Sequence, residues 1–172
     1  MISLRPLEMS DVPELTDLMQ ANREFLEPWE PVRPPEYFTE PAVRAVTAGL
    51  VDARNAGLTM PFVIDDDGSI AGRTTLNNIV RGPFQSASIG YWVDGARGGR
   101  GIASEACRLI VEYAFGEFGL HRVEAGTLVD NLRSQKVLAN NGFEQFGMAP
   151  RYLQIAGQWQ DHLLFQRINQ SY

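Results

Sequence analysis

The sequence predicts an α/β fold: a mixed, twisted central sheet of about seven strands flanked by about four helices. Three observations carry that reading. Segments of β-type composition or alternation interleave with amphipathic segments in the order βααβββαβαββ. A glycine-rich turn containing Gly95, Gly98, Gly99 and Gly101 joins a strand-like run directly to a helix-like one. Finally, 172 residues with 44% apolar and 21% charged side chains, and no repeat or low-complexity linker, suit one domain spanning residues 1–172 with a sizeable core.

The elements follow in chain order. Ile2 to Leu7 reads as a strand. Ser10 is placed to cap a helix reaching about Asn22, with Pro13 in its first turn and Val12, Leu15, Leu18 and Met19 spaced for burial. From Glu24 to Pro41 repeated prolines interrupt any regular element. Thr39 or Glu40 then starts a second helix, to about Asn55. Pro61–Asp65 and Ile70–Val80 alternate apolar residues around Asp65-Asp66-Asp67-Gly68, the pattern of a β-hairpin. A loop at Gly82-Pro83 leads to a strand over Ser88–Val93, and a long helix covers about Gly101 to Phe118. After a strand over Val123–Val129, Asp130 or Asn131 caps a helix that Gly142 stops. Two strands, Phe143–Ile155 and Trp159–Arg167, turn at Ala156-Gly157 and close the chain.

The junction after Val93 carries the chemistry. Glycines permit positive φ and let a backbone approach a ligand closely. A helix start adds unpaired N–H groups and the positive end of its dipole. Strand end, glycine loop and helix start together form a cradle for a phosphate or pyrophosphate. Its residues are Tyr91, Trp92 and Val93, then Gly98, Gly99, Arg100 and Gly101, then Ile102, Ala103 and Ser104. Two alternatives fail: Gly99-Arg100-Gly101 is followed by Ile102-Ala103-Ser104, without the third glycine of a dinucleotide fingerprint, and no Gly-Lys pair exists for a P-loop.

Gly98-Gly99-Arg100-Gly101-Ile102-Ala103 resembles the [Q/R]-x-x-G-x-[G/A] pyrophosphate loop of the GNAT family of acetyl-CoA-dependent N-acetyltransferases, with Gly98 where Gln or Arg is usual and Arg97 one residue early. Asn131 to Glu144 is similar to the family's N-x-x-S…GF element, and it follows the glycine loop in family order. The resemblance implies the GNAT fold, acetyl-CoA as donor, a contact from Asn131 to the pantetheine arm, and Ser134 near the thioester sulfur as the catalytic candidate. Taken alone, Asn131 reads equally as a helix cap and Ser134 as an exposed helix serine. Many family members carry Tyr four residues before the Gly of the GF pair, where this chain has Leu138.

Three further segments, Asn22–Arg33, Asn78–Phe84 and Tyr152–His162, are similar to the RimJ/RimL group of that family, and most of all to its alanine-acetylating RimJ branch. That likeness implies acetylation of a protein N-terminus, of alanine type and in a ribosomal or other protein. The alternatives are acetylation of a small amine or antibiotic, and a non-catalytic acetyl-CoA-binding module. Glu27, Trp29, Glu30, Tyr152 and Asp161 are the acceptor-binding candidates. Each carboxylate reads equally as a solvated surface group, and each aromatic as core. RimL-like relatives place a Glu near the tyrosine of the closing hairpin where Leu153 stands here, which leaves the general base among Glu27, Glu30 and Asp161. A backbone N–H of the Ile89–Val93 strand is placed to stabilise the oxyanion.

Composition narrows the partners. A net charge of −6 opposes direct nucleic-acid binding and suits a basic acceptor. Apolar runs are short and no charged-then-apolar leader is present, so neither a membrane span nor secretion is expected. Cys107 is the single cysteine, consistent with a reducing cytoplasm, and reads as a small buried residue rather than a nucleophile. His121 and His162 have no metal-ligand spacing, and no metal is expected. The expected state is a monomer or homodimer.

Overall fold

The computed structural model of the chain describes residues 1–171. Its strands are β1 (Ile2–Pro6), β2 (Met60–Asp66), β3 (Ser69–Val80), β4 (Ser86–Val93), β5 (Arg122–Leu128), β6 (Glu144–Ile155) and β7 (Gln158–Ile168). Its helices are α1 (Val12–Ala21), α2 (Arg23–Leu26), α3 (Glu40–Asn55), α4 (Ile102–Gly116) and α5 (Leu132–Asn140). The strands form one sheet in the order β1-β2-β3-β4-β5-β7-β6. Every neighbouring pair is antiparallel except β4 with β5. The mixed seven-stranded sheet is as the sequence predicts, and the fifth helix is the single turn α2.

Local chemistry explains the departures. Ser10 does not cap α1: it lies in a 3₁₀ turn over Met9–Asp11, and the helix starts at Val12. The group that fixes this entry is Asp11, whose carboxylate accepts from the Glu8 amide at 2.9 Å and from the Arg5 guanidinium at 2.8 and 3.0 Å. The proline-rich stretch is less irregular than expected. It contains α2 and two 3₁₀ turns, Glu27–Trp29 and Pro35–Phe38, because proline suits the first positions of a helical turn. Asn131, not Asp130, caps α5.

Helices cover both faces. On one, α4 and α5 pack Ile110, Val111 and Leu138 against Phe62, Leu76, Ile89, Val123 and Phe165, with Tyr91 at the margin. On the other, Val12, Leu15 and Val43 of α1 and α3 pack on Val63, Ile70 and Trp92. Leu138 is fully buried in the first of these cores, so the position where many relatives carry tyrosine is a packing site here.

Two features of β4 set the site. Its parallel ladder with β5 has only three rungs: Ser86↔Arg122, Ala87↔Val123 and Ser88↔Glu124. Beyond Ser88 the two strands part and form a fork, and the β5-facing N–H and C=O groups of β4 there have no strand partner. Its other edge is held tightly: a Cβ at Gly72 of β3 would stand 2.1 Å from the Trp92 carbonyl oxygen. Gly72→Ala is therefore expected to force β3 from β4 and to cost about 3 kcal/mol, a drop of about 6–12 °C in Tm by thermal melting.

Candidate active site

The C-terminal end of β4 runs into the glycine loop. Asp94 turns the chain: its amide donates to the Ala71 carbonyl at 2.8 Å and its carboxylate accepts from the Ala96 amide at 3.1 Å. Gly99 and Gly101 both have φ of +77°, a left-handed backbone that a Cβ disfavours. Gly101 is the N-cap of α4 and supplies no side chain to the first-turn amides, which remain available to an anion. Gly98 has φ of −58°, so its conformation does not require glycine, but a Cβ there would lie 3.2 Å from the Gly95 carbonyl oxygen. The Ile102 side chain is buried under β1–β3, so only its backbone faces a ligand. Ser104 accepts from Asn141 of the α5 end at 3.1 and 3.2 Å. Trp92 and Val93 likewise turn their side chains into cores.

Arg97 has a structural task. Its guanidinium binds Asp66 at 3.1 Å, the Ser69 hydroxyl at 3.1 Å and Asp94 at 3.4 Å, fastening the loop to the β2–β3 turn. Arg100 also reaches Asp66, at 3.0 Å, but is 58% exposed and able to exchange that partner for a ligand phosphate. From the other direction, buried Asn22 donates to Asp94 at 3.0 Å and accepts from the Gly95 amide at 2.8 Å. No sequence signal links Asn22 to residues more than seventy positions away; sequence reasoning missed both it and Asp66.

Across the fork, the Asn131 side-chain oxygen accepts from the Ser134 amide at 3.1 Å, which is a helix cap. The cap uses only the oxygen, and the amide nitrogen has no bonded partner among the described residues. The Ser134 hydroxyl lies 2.8 Å from the Tyr91 hydroxyl, so β4 and α5 meet through a hydroxyl pair at the fork. Burial pushes the Tyr91 hydroxyl pKa above its ordinary value, opposed by the bond to Ser134, and Tyr91 is neutral at pH 7. The sequence placed Tyr91 in the donor cradle but gave no sign of this pairing. Cys107 is fully buried and its thiol is pushed up to about 12 by burial, so it is no nucleophile.

The acceptor candidates fall into separate clusters. Glu27 and Glu30 line a shallow groove with Arg23, Arg33 and Phe38. Burial raises the carboxyl pKa of Glu30, against the lowering pull of Arg33 and Arg73. Trp29 is 39% and Tyr152 50% exposed, so neither is core. The Glu30 carbonyl accepts from the Ala156 amide at 2.9 Å, which ties this loop to the β6–β7 turn. Tyr152 stands edge-on to buried His162, with ring centroids 5.5 Å apart, and faces a different, smaller pocket at the closed end of the fork. Asp161 accepts from the Arg151 amide at 2.8 Å where Arg151 has φ of +48°, so it holds the irregular stretch of β6 in shape. Among the described residues no group of three or more His, Cys, Asp or Glu side chains is placed to hold a metal ion.

An anion cradle opening on a parallel fork, with a hydroxyl pair across it, agrees with the family that the chain matches. The model of the acetyltransferase (GNAT) domain matches residues 2–144. The chain belongs to the GNAT acetyltransferase family. Its GNAT relatives include a probable N-acetyltransferase of Bacillus subtilis, YjcK, 38% identical over 170 residues covering 98% of this chain and 94% of the relative. The ribosomal protein uS5-alanine N-acetyltransferase of Escherichia coli is 34% identical over 156 residues, 90% of this chain and 80% of the relative. The structure of Mycobacterium smegmatis RimJ in complex with CoA-disulfide superposes with a TM-score of 0.96 at 35% identity, covering 99% of this chain and 83% of that one. This GNAT chain is an N-acetyltransferase.

The link between α1 and the glycine loop is testable. Asn22→Ala leaves the Gly95 amide unpaired and is expected to cost about 2 kcal/mol, lowering Tm by about 4–8 °C. Asn22→Asp keeps the acceptor for that amide but sets a carboxylate against Asp94, and thermal melting should find it less stable than Asn22→Ala at neutral pH.

Proposed function

We propose that this enzyme transfers the acetyl group of acetyl-CoA to the N-terminal α-amino group of a protein, with an alanine-type terminus in a ribosomal or other protein of the cytoplasm. The observation that carries the reading is the fork itself: a slot between β4 and β5 with the glycine loop at its rim and the Tyr91–Ser134 pair across it. The two relatives named for ribosomal alanine acetylation and RimJ support the choice of alanine. The exposed Trp29 with Glu27 and Glu30 beside it, together with the chain's net charge of −6, supports a basic acceptor.

The residues divide the work. The amides from Gly98 to Ala103 hold the pyrophosphate, and Arg100 adds charge to it. Asn131 donates its free amide N–H to the pantetheine arm. Acetyl-CoA supplies the acetyl group as a thioester. The free N–H groups of β4 beyond Ser88 lie along the slot, where one meets the negative charge that develops on the carbonyl oxygen as nitrogen attacks. Ser134, its hydroxyl steadied by Tyr91, hydrogen-bonds the sulfur as it becomes a thiolate. Trp29, Glu27, Glu30 and Tyr152 receive the acceptor chain, and Asp161 shapes the strand that carries Tyr152.

Three measurements check these roles. Gly101→Val puts a β-branched residue where φ is +77° and is expected to weaken acetyl-CoA binding at least about tenfold, or 1.4 kcal/mol, by calorimetry on the folded variant. Unchanged affinity would remove the loop from the donor site. Ser134→Ala should lower kcat with little effect on acetyl-CoA affinity, since its bond strengthens only as thiolate forms; Asn131→Ala should raise the acetyl-CoA KM. Wild-type kinetics in both would leave the pair as a helix cap alone.

The acceptor is tested by mass spectrometry of peptide termini and lysines after incubation with acetyl-CoA. Acetylation is expected on the α-amino group of Ala-initiated peptides with basic residues downstream. Trp29→Ala should damage peptide turnover while sparing acetyl-CoA binding, and added salt should raise the peptide KM by screening. Efficient acetylation of a small amine or an internal lysine, with Ala termini ignored, would overturn this acceptor.

A further inference from the structure

Side chains alternate across a strand, so the two faces of the fork carry different residues. Tyr91 of β4 and Ala125 of β5 face α4. Ser88, Glu124 and Gly126 line the small pocket on the other face, at the closed end of the fork, with Phe146, Tyr152 and Leu164 around them. Ser88 and Glu124 are the last rung of the β4–β5 ladder. Tyr91 lies three positions beyond this rung on β4, ~10 Å at a strand's rise of ~3.3 Å per residue. An acetyl group held in the fork beside Tyr91 and Ser134 would be within that distance, ~10 Å, of the pocket.

Glu124 is the one carboxylate in that lining, and its side chain is 33% exposed. Arg122 Nε donates to its Oε1 at 2.5 Å, and the Arg122 guanidinium lies 4.8 Å over the Phe146 ring, which fixes the carboxylate in place. Oε2 has no hydrogen-bond partner among the described residues. A fixed carboxylate with a spare oxygen, with the Tyr152 ring in the same lining, suits a primary ammonium group.

We propose that Glu124 receives the acceptor ammonium and takes the proton that must leave before its nitrogen can attack. The inference rests on the reading of the fork as the place of acetyl transfer to an N-terminal amine. An N–H bond breaks and its proton passes to the Glu124 carboxylate, directly or through one water. The freed nitrogen pair forms the C–N bond at the thioester carbonyl, and the nitrogen sheds a second proton to solvent. The C–S bond breaks with its electron pair on sulfur, and the coenzyme A thiolate takes up a proton from solvent. Glu124 returns its proton to solvent, so one proton is released per amide formed from an ammonium.

The test is the pH profile of kcat/KM for an Ala-initiated peptide in wild type and Glu124→Gln, which keeps an oxygen for Arg122. The variant is expected to lose about 100-fold near pH 7, with the deficit closing above the α-amine's own pKa of about 8, where the substrate arrives deprotonated. Its acetyl-CoA affinity should stay within about twofold of wild type by calorimetry. A kcat/KM within about threefold of wild type at pH 7, or a deficit equal at every pH, overturns the role of Glu124. A wild type that binds acetyl-CoA but ignores Ala-initiated peptides overturns the acceptor reading and this inference with it.

Gly126→Ala serves if Glu124→Gln fails to fold. Its methyl group has room, 3.8 Å from Leu164 Cδ2 and 3.9 Å from His162 Cδ2, yet it occupies the pocket. The peptide KM should rise at least about tenfold with acetyl-CoA affinity unchanged, and an unaltered KM overturns the inference.

Discussion

The early end of the β4–β5 ladder governs everything else in the molecule. A parallel pair that continued past Ser88↔Glu124 would saturate the backbone groups of both strands and leave no slot. Stopping after three rungs leaves polar backbone exposed in the middle of a sheet, a cost that the flanking structure must offset. The core under α4 and α5 does so on one face, where Ile110, Val111 and Leu138 share a cluster with Ile89 of β4 and Val123 and Ala125 of β5. The sheet is thus held together by these helices where its own hydrogen bonds give out, and the interruption is left as a slot whose other face carries the pocket lined by Ser88, Glu124 and Gly126.

The fork's rim is made rigid from three directions. Arg97 and Arg100 fasten the glycine loop to Asp66 on the β2–β3 turn, Asn22 bonds Asp94 and Gly95, and the Phe25 ring sits so close to Gly95 that a Cβ there would meet it at 2.8 Å. The proline-rich loop that follows α2 then touches the β6–β7 turn through Glu30 and Ala156. The glycine loop and the β6–β7 turn are therefore connected through one short stretch of chain, Asn22 to Glu30. Arg100 is the loosest member, exposed and singly paired, and so the one able to change partner without disturbing the frame.

What was legible in the sequence was what depends on local chemistry. Strand alternation, the glycine loop, the Asn131 cap and the Ala156-Gly157 turn all lie in short windows where period and turn residues decide the outcome. The rest turns on which partner a side chain takes, and that no short pattern states. Ser10 loses the start of α1 because Arg5 and Glu8 engage Asp11. Tyr91 and Ser134 meet only because β4 and α5 are brought together across the fork. Glu124 reads in sequence as one more polar residue of an alternating strand, and only the ladder's end at that rung gives it a pocket. Glu27, Glu30 and Asp161 were candidates by composition and neighbourhood. The structure places the two glutamates in a groove apart from the fork pocket and binds Asp161 to the Arg151 amide.

The most direct test of the fork as the place of reaction is a crystal structure of the protein with coenzyme A and an Ala-initiated peptide. The pyrophosphate should lie against the amides of Gly98 to Ala103, the sulfur within hydrogen-bond reach of the Ser134 or Tyr91 hydroxyl, and the peptide amine on the opposite face beside Ser88 and Glu124. Coenzyme A bound outside the space between β4 and β5, or a peptide amine on the same face as α4, would contradict the account.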